Sequence, residues 1–206
     1  METRQLDIKR CFVEAFDVYK VNIPMLLLAT LVFQLLSLFT LLILSGPLFG
    51  GYCYMTLKAM RSQEKKIEFN DIFKMLNRFW PLLGLFFLQG LAVFTGLLLF
   101  IVPGVLLMTM WLYSYFMAID KGYGPVDSLK ASWAMVKGNG LWVNLALAIV
   151  YIVINGLAGQ IPFAGLIISL FVVPFGALLI TSAYIQQSQP EPALSGEDRP
   201  FANTSE

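Results

Sequence analysis

The chain has 206 residues, 58% of them hydrophobic and 13% charged, with 14 Lys and Arg against 13 Asp and Glu for a net charge of +1. Soluble domains carry about 25% charged residues, and neutral runs as long as those found here cannot be a soluble core, so the composition points to an integral membrane protein built of helices. The balanced charge argues against a nucleic-acid partner, the absence of His removes the commonest metal ligand, and Cys11 and Cys53 have neither CxxC nor zinc-type spacing, so no cofactor is expected.

The chain opens with METRQLDIKR. This lacks the pattern of a cleaved leader, and the whole chain is read as mature. Ile8, Cys11, Phe12, Ala15, Phe16 and Tyr19 follow helical spacing, with Arg10, Glu14 and Asp17 opposite. Such a helix suits the membrane interface. A 37-residue neutral run covers 21–57, broken at Ser45-Gly46-Pro47. It predicts a crossing over about 23–44 and a short second one over about 48–60, with Lys58 and Arg61 snorkelling to the headgroups.

A charged link, RSQEKKIEFN, leads to DIFKMLNRFW, where Ile72, Met75, Leu76 and Phe79 form one stripe and Asp71, Lys74 and Arg78 the other. The next neutral run, 79–119, has 41 residues. As one helix it would measure about 60 Å, twice the hydrocarbon core of a bilayer, so it must fold back. Pro103-Gly104 is the expected corner, because Pro interrupts a helix and Gly turns cheaply. Crossings are predicted over 80–102 and 104–119.

DKGYGP forms a loop, and VDSLKASWAMVKGNG is a third amphipathic helix, with Leu129, Trp133 and Val136 apart from Lys130 and Lys137. The last neutral run, 138–190, breaks near Pro162. It predicts crossings over 141–158 and 163–184, the latter kinked at Pro174. Residues 187–206 read as a disordered, acidic cytoplasmic tail.

Asp7, Asp71 and Asp127 each open an amphipathic segment and have a basic residue three places on, at Arg10, Lys74 and Lys130. The breaking prolines Pro47, Pro103 and Pro162 fall at similar intervals. The expected fold is therefore all-α: six transmembrane helices in three hairpins, each preceded by an interfacial helix, as a threefold repeat. Asp at helix starts and Pro at turns is also the ordinary grammar of unrelated hairpins. The units would be about 7–62, 71–120 and 127–186, within one membrane domain, 1–186. Hairpin turns are assigned to Gly46, Pro47, Pro103, Gly104 and Pro162. Lys and Arg cluster in the N-terminal segment and the two long links and avoid these turns. By the positive-inside rule both termini are cytoplasmic.

No ionisable residue stands inside the neutral runs. An intramembrane enzyme or proton-coupled carrier needs such groups, so catalysis is not expected. The amides Gln34, Gln89, Asn144 and Asn155 either line a polar path or bond between helices, and helix bonding is the commoner use. Lys65, Lys66, Lys74 and Arg78 are candidate contacts for anionic lipid headgroups. An ordinary positive-inside loop explains them as simply.

GPLFGGYCYMTLKAMRSQ, FNDIFK, IVPGVLL and AIDKGYGPVDSLKASWAMVKGNGLWV together resemble a group of bacterial six-helix membrane proteins of unknown function. That group is related to the membrane domain ahead of the catalytic domain in some glycerophosphodiester phosphodiesterases. The resemblance implies a multi-pass protein of the bacterial cytoplasmic (inner) membrane. It does not carry the phosphodiesterase activity, whose acidic and His residues have no counterpart in this chain. The expected function is a non-enzymatic membrane module acting on lipids, or on a partner membrane protein or a second copy, through its cytoplasmic amphipathic helices. A small uncoupled transporter or channel lined by the intramembrane amides is the alternative.

Overall fold

A computed structural model describes residues 6–40, 43–62, 64–159 and 164–188. The described residues form helices joined by short links, with no strand among them. The elements are α1 (Ile8–Phe39), α2 (Ser45–Arg61), a 3₁₀ helix (Phe69–Arg78), α3 (Phe79–Leu99), α4 (Ile101–Met110), α5 (Ser114–Asp120), α6 (Pro125–Gly138), α7 (Leu141–Gly159) and α8 (Ala164–Ser188).

Four stretches are long and apolar enough to cross a membrane: Ile8–Phe39, Phe69–Leu99, Ile101–Asp120 and Ile167–Ser188. A fifth arises if α6 and α7, bent by 114°, count as one broken span. The chain is thus a multi-pass membrane protein by the length and composition of its helices. Leu98, Leu99, Phe100, Ile101 and Val102 are all exposed, an arrangement water would penalise and hydrocarbon accepts.

The expected interfacial helix and first crossing are one element, α1. Asp7 caps it, its carboxylate accepting from the Arg10 N–H at 3.1 Å. The helix bends at Asn22, whose φ of −117° and ψ of 16° are not helical. The cause is Pro24, which has no N–H to donate and whose ring crowds the turn before it.

The expected second crossing, α2, has 17 residues and is not among the apolar spans. It is an interior helix with 12 of those residues buried, packed against α1, α3, α5, α8 and the 3₁₀ helix. Glycine makes this possible. A Cβ on Gly46 would lie 2.6 Å from the Leu82 carbonyl oxygen, and one on Gly51 would overlap the Ile72 carbonyl.

The central reversal lies at Phe100, not at Pro103-Gly104. Phe100 is extended, with φ −158° and ψ 145°, and serves as both the last cap of α3 and the first of α4. Pro103 and Gly104 fall in the first turn of α4, where a missing N–H costs nothing because that group has no helical partner. Gly104 instead allows close approach: Gly96 of α3 stands so near that a Cβ on it would be 3.1 Å from the Gly104 Cα. Gly46 and Pro47 likewise belong to the first turn of α2. Pro162 lies outside the described residues.

The expected crossing over 104–119 is broken at 111–113 into α4 and α5. Ser132 of α6 bridges the break. Its hydroxyl donates to the Met110 carbonyl at 2.8 Å and accepts from the Tyr113 N–H at 3.1 Å, so backbone groups freed by the interruption are satisfied inside the protein. The three segments expected to be equivalent interfacial helices take three forms: the first part of a bent helix, a 3₁₀ helix and a helix turned 114° from its successor.

Candidate functional site

Charged side chains gather where α1 begins, α2, α5 and α8 end, and the 3₁₀ helix lies. Asp71, buried in the first turn of that helix, is held by Lys58 at 2.9 Å and Lys74 at 2.5 Å. Glu68 takes a further bond from Lys58 at 2.8 Å. Arg61 grips Asp120 with both terminal nitrogens, at 2.5 and 2.9 Å, a bidentate charge-assisted pair. The Tyr184 hydroxyl donates to the same carboxylate at 2.7 Å. Near the start of α1, the Ser182 hydroxyl of α8 donates to Glu14 at 2.6 Å.

The four candidate headgroup cations divide into two kinds. Arg78 donates to the backbone carbonyls of Ala118 at 2.5 Å and Gly122 at 2.8 Å, closing the C-terminal end of α5. Lys74 is committed to Asp71 and lies near the Tyr54 ring. Lys65 and Lys66 are exposed, and Lys66 has only a 3.5 Å contact with the equally exposed Glu64. Lys65 adopts φ 50°, an αL conformation that costs a non-Gly residue energy. Its carbonyl is turned to accept from the Asn22 amide at 2.6 Å. Asn22 also accepts from the Ile67 N–H at 2.9 Å, so one buried side chain pins the link between α2 and the 3₁₀ helix. Asn22 carried no signal in the sequence, because the two groups it pins, on Lys65 and Ile67, lie more than 40 residues away.

The intramembrane amides do not meet in one place. Gln34 of α1 donates to Ser169 of α8 at 2.7 Å. Asn144 of α7 accepts from the Tyr113 hydroxyl at 2.6 Å and from Gln187 of α8 at 2.9 Å, a fully buried cluster. Asn155 turns back to the Tyr151 carbonyl of its own helix at 2.8 Å. Gln89 of α3 donates weakly to the Trp111 carbonyl at 3.4 Å, and the Ser114 hydroxyl lies 2.8 Å from its oxygen. Gln34 and Gln89 border two different recesses, of about 530 and 370 Å³.

Among the described residues no three Cys, Asp or Glu side chains come together as a metal-ligand set. Comparison with protein-family models, curated proteins and solved structures found no match. The geometry of this chain alone therefore carries any functional reading.

Proposed function

We propose that the protein is a non-enzymatic module of the bacterial cytoplasmic membrane that engages anionic lipid with the charged end of its helix bundle. One observation carries the reading. Lys65, Lys121, Lys130 and Lys137 are exposed and make no side-chain hydrogen bond or ion pair among the described residues, while Trp133 and Trp142 are exposed beside Lys130 and Lys137 in the chain. Free lysines attract phosphate and exposed indoles favour the headgroup level. The 114° turn between α6 and α7 suits α6 to lying along that surface. Pairing of Gln34 and Asn144 between helices, rather than around a shared lumen, favours the module over a channel.

The proposal includes six crossings, with α2 as a short interior one and both termini cytoplasmic. A 17-residue helix lies at the lower limit for spanning. Glu14 of α1, Arg61 of α2 and Asp120 of α5 lie where Ser182 and Tyr184 of α8 bond to them, which is compatible with that topology. The order of elements also keeps the threefold repeat in the proposal, although its three opening segments differ in form. The choice of membrane is carried over from the sequence motifs as an expectation.

The test is extraction into native-lipid nanodiscs and mass spectrometry of the bound lipid, against an unrelated six-helix protein. Enrichment of anionic lipid that falls when Lys65, Lys66, Lys130 and Lys137 are changed to Gln supports the reading. Bulk composition in both proteins refutes it, and one co-extracted membrane protein would instead make that protein the target.

A further inference from the structure

Ser132 pins α6 across the interruption at 111–113, bonding to the Met110 carbonyl and the Tyr113 N–H. The Trp111 ring, on the interrupted turn, is thereby set against α6. Between them lies a recess of about 260 Å³ lined by Trp111, Val126, Leu129, Lys130 and Trp133. Its surface is wholly apolar, so Lys130 lines it with methylenes and not with its ammonium.

That ammonium is the second half of the site. Lys130 is exposed and makes no hydrogen bond or ion pair among the described residues, although Asp127 stands one turn before it. Val126, Lys130, Trp133 and Lys137, at i, i+4, i+7 and i+11, are all exposed and form one face of α6. An occupant that complements both halves is apolar where it touches the indoles and negative where it passes Lys130. A soluble anion would leave the indoles uncovered, and a neutral hydrocarbon would leave the cation without a counter-charge. Position favours a molecule that has both parts. α6 turns 114° from the apolar α7, so where α7 crosses a bilayer α6 runs along its boundary, the level at which indoles collect. Acyl chains and phosphates meet at that same level.

We propose that this recess seats one anionic phospholipid, with an acyl chain between Trp111 and Trp133 and its phosphate on Lys130. The inference rests on the anionic-lipid reading above and gives it a place, a chain as well as a headgroup, and one lysine of the several that are free.

The test uses the full chain in nanodiscs of phosphatidylcholine with a minor share of phosphatidylglycerol, either lipid carrying a diazirine in one acyl chain, and peptide mapping as readout. Label is expected on 111 and 126–133, displaced about fivefold better by unlabelled phosphatidylglycerol than by phosphatidylcholine, the contribution of one lysine near anionic lipid. Lys130→Gln should erase that preference while leaving residual label, because the chain still fits. Val126→Trp should fill the recess and remove label from both lipids. Lys65→Gln, away from the recess, should change neither. Lys130 is exposed and bonds to nothing, so its variant decides the matter if Val126→Trp does not fold.

Equal displacement by the two lipids in the native chain, or label spread evenly over the lipid-facing helices, would overturn the proposal. Carbodiimide coupling of Lys130 to Glu197 or Asp198 would make the segment 189–206 the occupant and overturn it as well. Anionic lipid enriched in native-lipid nanodiscs, with label mapping to 62–68 instead, would sink this site and leave the broader reading standing. Bulk lipid in those nanodiscs would sink both.

Discussion

Arg61 and Asp120, 59 residues apart in the chain, meet in a two-pronged ion pair at 2.5 and 2.9 Å. It joins the end of α2 to the end of α5, and Tyr184 brings in α8 through the same carboxylate. Three helices whose order the membrane constrains only loosely are thereby fixed at one level.

Changing Arg61 to Ala should destabilise the protein by about 1–2 kcal/mol, because Asp120 is largely buried at 15% exposure and would keep only Tyr184. Thermal unfolding in detergent measures it. A double-mutant cycle with Asp120→Asn should show coupling above about 0.5 kcal/mol; additive effects would mean that the pair is ornamental.

Gly51→Ala should be among the most damaging single-methyl changes in the chain. Its Cβ would overlap the Ile72 carbonyl, a backbone atom that cannot rotate away, so α2 and the 3₁₀ helix must separate. Overpacking of this sort costs about 1–3 kcal/mol or more. Gly90→Ala, with open space around it, is the control and should stay within about 1 kcal/mol of the native protein. Monodisperse yield after extraction separates the two.

Pro103→Ala should leave folding nearly unchanged, since the ring occupies a first-turn position where Ala is also at home. Gly104→Val should lower the folded yield sharply, because even its Cβ would press into Leu97. A Pro103→Ala variant that failed as badly would restore Pro103 as the corner.

Asn22→Leu should release the link between α2 and the 3₁₀ helix. It removes the acceptor of the Ile67 N–H and the donor to the Lys65 carbonyl, leaving groups whose loss costs about 1–3 kcal/mol. Limited proteolysis should cut near 62–68 faster than in the native protein. Unchanged cutting rates would show that the link is held by Lys58 and Asp71 instead.

Ser132→Ala should strip the α4–α5 break of its bridge. The Met110 carbonyl loses its donor and the Tyr113 N–H its acceptor. A loss of about 1–3 kcal/mol is expected, with Ser132→Thr restoring part of it.

Much of the architecture is written in hydropathy, which fixes where helices run because no other backbone survives in hydrocarbon. Asp7 announces its cap locally and the 79–119 run must reverse on length alone. The exact corner was not legible, because proline's missing N–H serves equally well at a corner and in a first turn, and Phe100 carries no turn signal at all. Nor was the break at 111–113, which contains neither Gly nor Pro and exists because Ser132, from another helix, satisfies it. α2 reads as a lipid-crossing segment because its residues are apolar, yet they face protein; composition does not distinguish those two apolar surroundings. The partners of Gln89, Asn144 and Asn22 depended on contacts across the fold, which residue type does not reveal.

The reversal at Phe100 bears on how the chain is made. With a single extended residue between them, α3 and α4 have no room to enter the bilayer at separate sites or at widely separate times. α3 released on its own would carry the Gln89 amide into lipid before Trp111 and Ser114 had left the ribosome. The nascent chain is therefore best held at the insertion channel until about residue 114 emerges, and the two helices delivered side by side, which makes the pair, rather than the single helix, the unit of biosynthesis.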